Sequence, residues 1–413
     1  MSERKRIVLQ PEYMKNFSCI GPDCEDSCCI GWRVDLDKKT YLEYKKINNN
    51  ELKTTIGKMV NRKHSQKSDG SYGKIKMEST GRCPFLNKEN LCKVYINVGE
   101  KYLSDTCTFY PRYVRKIDGK YERSATMSCP QVARIALLNP NGIAFEHIEE
   151  DGNTKVKLHS NFDTEGHLFA TKPQRYFWDI RIFSLSLLQN KRYSLGERLI
   201  ILGIVYKKIE VIYSEKRIKD LPAMLETMDS MIEAETFKEE LKKVPSNTQI
   251  QMRLAKEMTD EKVMQGITSN RYLECLKETL LGIGYKTGEK LETVIEKYDN
   301  SYKEYLAPYL EEKEYILENY LVNEYFKEMM PFGSYKTMWD SYIFLCVIYS
   351  MVKLHLIGMA GYHKGLNDYL TLKLIQSFSK VVLHNEKYIQ GIIKLLKDNG
   401  YDSLAYMTIL VKN

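Results

Sequence analysis

At 413 residues the chain is long enough to bury one or more sizeable cores without covalent staples. Its formal charge of +8 is modest, and its basic residues are scattered apart from Arg4-Lys-Arg6 and Asn61-Arg-Lys-His64, which favours a solvated surface over a nucleic-acid-binding stripe. The opening MSERKRIVLQPEYMKNF has no apolar run behind its basic residues, which argues against a secretory signal. The longest apolar run, Tyr342 to Val352, stops at Lys353, too short to span a bilayer, so a buried helix is expected in a soluble, cytoplasmic protein with reduced thiols and neither membrane nor nucleic acid as partner.

In chain order, the first feature is CIGPDCEDSCCIGW, which places Cys19, Cys24, Cys28 and Cys29 close together. A helix follows near Lys38 to Ile47, with Asp37 as its cap, and Lys63 to Glu78 reads as a loop or short hairpin. A second cysteine group then comes in three phrases, containing Cys83 and Cys92, Cys107, and Cys129. Cys83 and Cys129 each precede a proline, which biases them to extended or turn backbone suited to loop-held ligands. A helix near Gln131 to Leu138 precedes a lapse in periodicity from Asn139 to about Lys172, where a boundary is placed between a Cys-rich metal domain, 1–150, and a helical domain, 172–413. Beyond Pro173, apolar residues recur three and four apart over Arg175–Gln189, Ser194–Ile218, Leu221–Lys243, Asn247–Leu281, Lys286–Met330, Tyr335–Met359 and Leu366–Asn399. The longer spans are expected to break, for instance near Pro308. The predicted fold class is mainly α: a loop-rich Cys-cluster domain with short helices, then a larger all-helical lobe.

Eight of the ten cysteines lie in the first 129 residues, while Cys275 and Cys346 sit in apolar helical patterns as buried thiols. In a reducing compartment such clustering points to a metal rather than a disulfide knot. The chain has no Cys-x-x-Cys and little histidine nearby, which disfavours the usual zinc knuckles. Cys-x4-Cys-x3-Cys-Cys lies close to the arc of plant-type iron–sulfur proteins, and an irregular all-thiolate wrap suits a polynuclear cluster, with an all-Cys zinc site as the alternative. Adjacent Cys28 and Cys29 diverge in extended backbone, whereas Cys24 and Cys28 share a face in a helical turn. Residues 1–150 hold 26 Lys and Arg against 19 Asp and Glu, so nearly all the positive excess sits with the cysteines. Arg33, Arg82 and Arg112 are candidates to offset thiolate charge.

The phrases CIGPDCEDSCCIGWRVDLDKKTYLEYKK, CPFLNKENLCKVY, LSDTCTFYPR and SCPQVARIALLNP, in that order, resemble the flagellin lysine-N-methylase (FliB) family, with its zinc- or iron-chelating cysteine domain. The resemblance covers about residues 11 to 145, with a fainter echo from Glu318 to Phe332. Gln131 departs from it, standing where an acidic residue is expected. The resemblance implies methyl transfer from S-adenosylmethionine to lysine side chains of flagellin and an iron–sulfur cluster, 4Fe–4S in type, held by cysteines among Cys19, Cys24, Cys28, Cys29, Cys83, Cys92, Cys107 and Cys129. An electron donor is a candidate second partner.

A lysine amine attacks a methyl group only as its free base, so polar transfer needs a proton acceptor or a dry pocket. Glu25, Asp26 and Tyr110 are the catalytic candidates, with Asp35, Asp37 and Tyr95 also in the matched phrases. No Gly-rich dinucleotide-type turn is convincing: Leu280-Leu-Gly-Ile-Gly-Tyr-Lys-Thr-Gly288 follows a helical pattern and reads as helix-end glycines. The other function class is a non-enzymatic zinc- or iron-binding module with a helical lobe that docks a partner.

Overall fold

The computed structural model describes residues 5–31, 34–64, 68–286 and 288–412. Its first 162 residues contain strands β1 (Lys5–Pro11), β2 (Asp35–Leu36), β3 (Val60–Arg62), β4 (Gly73–Ile75), β5 (Arg112–Ile117), β6 (Lys120–Ala125), β7 (Phe145–Asp151) and β8 (Leu158–Phe162). They form a mixed five-stranded sheet, ordered β7-β1-β6-β5-β8, and a small sheet, β2-β4-β3. This corrects the expectation of a loop-rich region with short helices. The sheets escaped because their buried faces carry charge. Arg115 on β5 and Glu122 on β6 are 8% and 2% exposed, so RYVRKI and KYERSA lack the apolar alternation that marks a strand. Asp118 and Gly119, both at positive φ, close the β5–β6 hairpin in the tight turn that matches strand twist. The stretch Lys63–Glu78 spans the β3–β4 connection and β4, as the hairpin reading anticipates.

Five short helices lie among these strands: α1 (Lys38–Tyr44), α2 (Asn50–Met59), α3 (Lys93–Val98), α4 (Asp105–Phe109) and α5 (Pro130–Leu137). Asp37 caps α1 by accepting from the Thr40 amide at 2.9 Å. The helical lobe comprises α6 (Phe177–Leu188), α7 (Leu195–Ser214), α8 (Leu221–Glu233), α9 (Lys238–Lys243), α10 (Thr248–Met264), α11 (Asn270–Gly282), α12 (Leu291–Ser301), α13 (Ala307–Lys327), α14 (Met338–His363), α15 (Asp368–Phe378), α16 (Glu386–Asp398) and α17 (Leu404–Val411). The long periodic spans do break. Gly266 at positive φ separates α10 from α11, and π-helical turns at Tyr302–Leu306 and Ser379–Leu383 precede α13 and follow α15.

Helix α14 has 26 residues and is long and apolar enough to cross a membrane, which corrects the reading of that run as too short. It lies wholly inside the protein, packed by α7, α10, α11, α12 and α17, as the buried helix that its composition also suggests. At its crossing with α11, a Cβ on Gly282 would meet the Gly358 carbonyl oxygen at 1.7 Å, so only glycine permits this approach.

A small core of Val34, Leu36, Leu52, Ile56, Phe85 and Val94 lies with the three-stranded sheet. The large core fills the helical lobe and continues into Met127, Cys129 and Val132. Polar contacts inside the protein fix the five-stranded sheet to α6 and α13. Arg181 pairs with Glu122 at 2.8 Å, and Asn323 donates to the Ala125 carbonyl at 3.1 Å while accepting from Tyr13 Oη at 2.7 Å. A buried pair of this kind specifies how two elements meet more than it stabilises them.

His355 on α14 is fully buried, with Nδ1 on the Met351 carbonyl at 2.7 Å and Nε2 on Tyr272 Oη at 3.0 Å. Burial lowers its pKa to about 4. Between pH 6.5 and 4 the unfolded imidazole takes up a proton that the folded one refuses, so this contribution is full above pH 6.5 and is lost as pH falls, by roughly 3 kcal/mol in all. Urea unfolding of His355→Gln between pH 7 and 4 should show a shallower loss of stability than the parent chain. An unchanged slope would contradict the assignment.

Candidate functional site

Electrostatic coupling ties six of the N-terminal thiols into two sets, with Cys28 and Cys107 linking one to the other. In the first are Cys83, Cys92 and Cys107, and the buried Tyr44 hydroxyl is raised by burial and then by all three thiols. Cys92 opens α3, Cys107 lies in α4 with its amide on Ser104 Oγ at 3.2 Å, and the Cys83 amide donates to the Cys29 carbonyl at 2.9 Å. Burial pushes the Cys83 thiol up to about 12, with Cys107 and Cys92 adding to the rise. Cys107 is exposed as a residue, yet dense packing about its sulfur raises it to about 11, with Cys92 and Cys28 contributing.

In the second neighbourhood are Cys24, Cys28 and Cys129. Residues 24–28 form bends rather than the helical turn expected, but Cys24 and Cys28 still face each other electrostatically. Cys28 is raised first by its hydrogen bond with Cys29 and then by burial, so these adjacent thiols meet in a turn rather than diverging. Cys129 stands at the start of α5 with Pro130 in the first turn, and burial takes it up to about 12, with Cys24 and Cys28 adding. Cys19 is exposed. Cys275 and Cys346 are buried in the lobe as expected.

The helical lobe holds the second neighbourhood in place. Gln376 Nε2, in α15, donates to Asp26 Oδ2 at 2.7 Å and to the Ser128 carbonyl at 2.8 Å, so one amide grips both the Cys24–Cys28 loop and the residue before Cys129. Lys380 adds bonds to Asp26 Oδ1 at 2.7 Å and to the Ser27 carbonyl at 3.2 Å. His384 Nε2 meets Ser128 Oγ at 2.7 Å, and that hydroxyl also meets Tyr110 Oη at 3.1 Å. Burial, with Lys327 and Lys380 nearby, lowers His384 to about 4, so it is neutral at pH 7. Sequence reasoning missed Gln376, Lys380 and His384. The available signal was their spacing of four, a polar stripe through the apolar segment Leu374–His384.

Of the proposed acids and bases, Glu25, Asp26 and Tyr110 act on these thiols. Glu25 pairs with Arg134 on α5 at 2.7 Å, Asp35 pairs with Lys63 at 3.2 Å, Asp37 caps α1, and Tyr95 is exposed. Burial raises Tyr110 well above the ordinary phenol range, which makes it a proton donor rather than a base. Arg112 lies close to Cys129 and Cys19, and Arg82 is tied to Asn90 and the Asn87 carbonyl. Arg33 lies outside the described residues.

In chemical kind these soft thiols fit a thiophilic ion or an iron–sulfur cluster. Their geometry is gathered but not closed. Among the described residues no three His, Cys, Asp or Glu side chains form a cage ready for a metal ion.

The profile of the FliB lysine N-methylase C-terminal domain matches residues 181–410. The match therefore lies in the helical lobe, where the sequence reading had only the stretch Glu318–Phe332, and it does not reach the eight cysteines. The chain is 23% identical to the "Lysine-N-methylase" of Salmonella typhimurium over 337 residues, covering 78% of this chain and 79% of the relative. It is 33% identical to the "Flagellar biosynthetic protein FliU" of Salmonella muenchen over 138 residues, 33% of this chain and 80% of the relative. No solved structure matches.

Replacing Gln376 by leucine removes both grips while keeping bulk. Thermal or urea unfolding should show a loss of about 1–3 kcal/mol, with faster amide exchange at residues 24–31. Unchanged stability and exchange would show that the lobe does not hold the cysteine loop.

Proposed function

This chain belongs to the FliB lysine N-methylase family, and from that premise we propose that it transfers methyl groups from S-adenosylmethionine to lysine side chains of flagellin, with an iron–sulfur cluster held by its N-terminal cysteines. What supports the cluster is that Cys24 and Cys28 act electrostatically on Cys129 from a distant segment, and that Cys92 and Cys107 act likewise on Cys83. Burial raises Cys24, Cys83, Cys107 and Cys129, and a hydrogen bond with Cys29 followed by burial raises Cys28. These thiols are therefore protonated, and a bound cation would reverse that balance and release protons. When bound, a cluster supplies a reducible, Lewis-acidic centre.

The chain's own contributions are positional and electrostatic. Asp26, fixed by Lys380 and Gln376, is an acceptor for a cationic amine beside the thiols. Neutral Tyr110 donates a hydrogen bond there, while the cations Arg112 and Lys380 make an incoming lysine give up its proton more readily. The lobe offers a large rigid body against which a protein substrate docks.

Anaerobic purification, followed by iron and sulfide analysis and a methylation assay on flagellin with labelled S-adenosylmethionine, tests this reading. The parent chain should be brown and active, and Cys24→Ser/Cys28→Ser should lose iron and fall to background incorporation. A colourless zinc protein with no incorporation would overturn the proposal in favour of a metal-binding docking module.

A further inference from the structure

The two edges of the five-stranded sheet differ in how they are protected. An edge strand offers unpaired backbone amides and carbonyls to any other extended chain, and charge along it is a common defence. Strand β7, at one edge, carries Glu146, Glu149, Glu150 and Asp151. Strand β8, at the other, reads Leu158-His-Ser-Asn-Phe162, with no formal charge and no proline. Among the described residues β5 is its only strand partner.

The inner side of β8 fixes what its outer side presents. Phe162 accepts from the Asp118 amide at 3.0 Å, which turns its carbonyl toward the β5–β6 hairpin. Successive residues of a strand alternate, so Asn161 turns its own amide and carbonyl to the open side. Upstream, the register with β5 slips by one residue between Leu158 and Ser160. The His159 ring meets β5 there, with Nδ1 on the Val114 amide at 3.2 Å and its centre 4.5 Å from that of Tyr113. The slip is filled from within the sheet, and β8 stays extended through it.

The sequence around β8 complements itself when read in the opposite direction. In an antiparallel pair of β8 strands centred on Ser160, His159 lies opposite Asn161, Leu158 opposite Phe162 and Lys157 opposite Asp163. The outward amide and carbonyl of Asn161 then meet those of His159 as a hydrogen-bonded pair, and the two serines face each other as a non-bonded pair on the twofold axis. Leu158, 43% exposed, lands against the partly buried Phe162 of the other copy. Lys157 and Asp163, both exposed, set opposite charges together at each end. Leu168, 79% exposed, adds apolar surface beside this edge, since its neighbour Phe169 packs on Phe162 with ring centres 5.4 Å apart.

We propose that β8 is a self-association edge, to which a second copy of this chain adds its own β8, antiparallel and centred on Ser160, so that two five-stranded sheets join across a twofold axis. A strand pair of this length buries less than the roughly 1,200 Å² of a standard interface, so the association is reversible and set by concentration.

Sedimentation velocity of the intact chain over a hundredfold range of concentration tests the assignment. The parent chain should pass from one to two chains per particle. Asn161→Pro removes an outward amide that the β5 ladder does not use, and should weaken self-association at least tenfold while the melting temperature stays near the parent value. Lys157→Glu and Asp163→Lys each set like charges together at both ends and should weaken it severalfold, and the two changes combined should restore it. A parent chain that stays single at every concentration would overturn the proposal. A dimer that Asn161→Pro leaves intact would place the interface elsewhere, and a charge exchange that restores nothing would rule out the antiparallel register. A single-chain parent whose binding to flagellin is lost in Asn161→Pro would give the edge to a substrate strand instead.

Discussion

One contact organises the candidate site: Asp26, between Cys24 and Cys28, held at 2.7 Å by both Lys380 and Gln376 from the far end of the chain. A loop of bends has little stability of its own, and conformational entropy would spread its thiols over many positions. Two charge-assisted bonds from a rigid π-helical turn and the helix before it remove that freedom. The same Gln376 amide fixes the Ser128 carbonyl, so Cys129 is set against the loop by one shared side chain. Cys24, Cys28 and Cys129 are thus positioned by the helical lobe, over a sequence separation of about 250 to 350 residues.

The electrostatic consequence is a set of buried thiols held neutral beside a carboxylate that is paired with Lys380. Cys83 and Cys129 are raised to about 12 mainly by burial, so each is a neutral thiol at pH 7. On the same loop, Asp26 lines a cavity whose other charged side chains, Lys262, Arg271 and Lys380, are positive.

What could be read from the sequence was local. The Asp37 cap, the helix beginning at Cys129-Pro130, the hairpin after Val60 and the helix-ending glycines Gly282 and Gly284 each depend on a few neighbouring residues, and each was legible. The five-stranded sheet was not, because Arg115 and Glu122 occupy positions on its buried face and are satisfied by Ser160, Glu328 and Arg181, partners that no short window contains. The candidate site was half legible. Cysteine spacing marked the thiols as candidate donors, but Gln376, Lys380 and His384 are polar groups in an apolar segment, with a purpose visible only once Asp26 and Ser128 lie against them.

The convergence of distant thiols is the claim on which the account stands. Treating the metal-free chain with a short thiol-to-thiol cross-linker and mapping the links by mass spectrometry measures it directly. The account predicts links from Cys129 to Cys24 or Cys28 and from Cys107 to Cys83 or Cys92. Links confined to sequence neighbours such as Cys19 and Cys24, with none reaching Cys129, would contradict it.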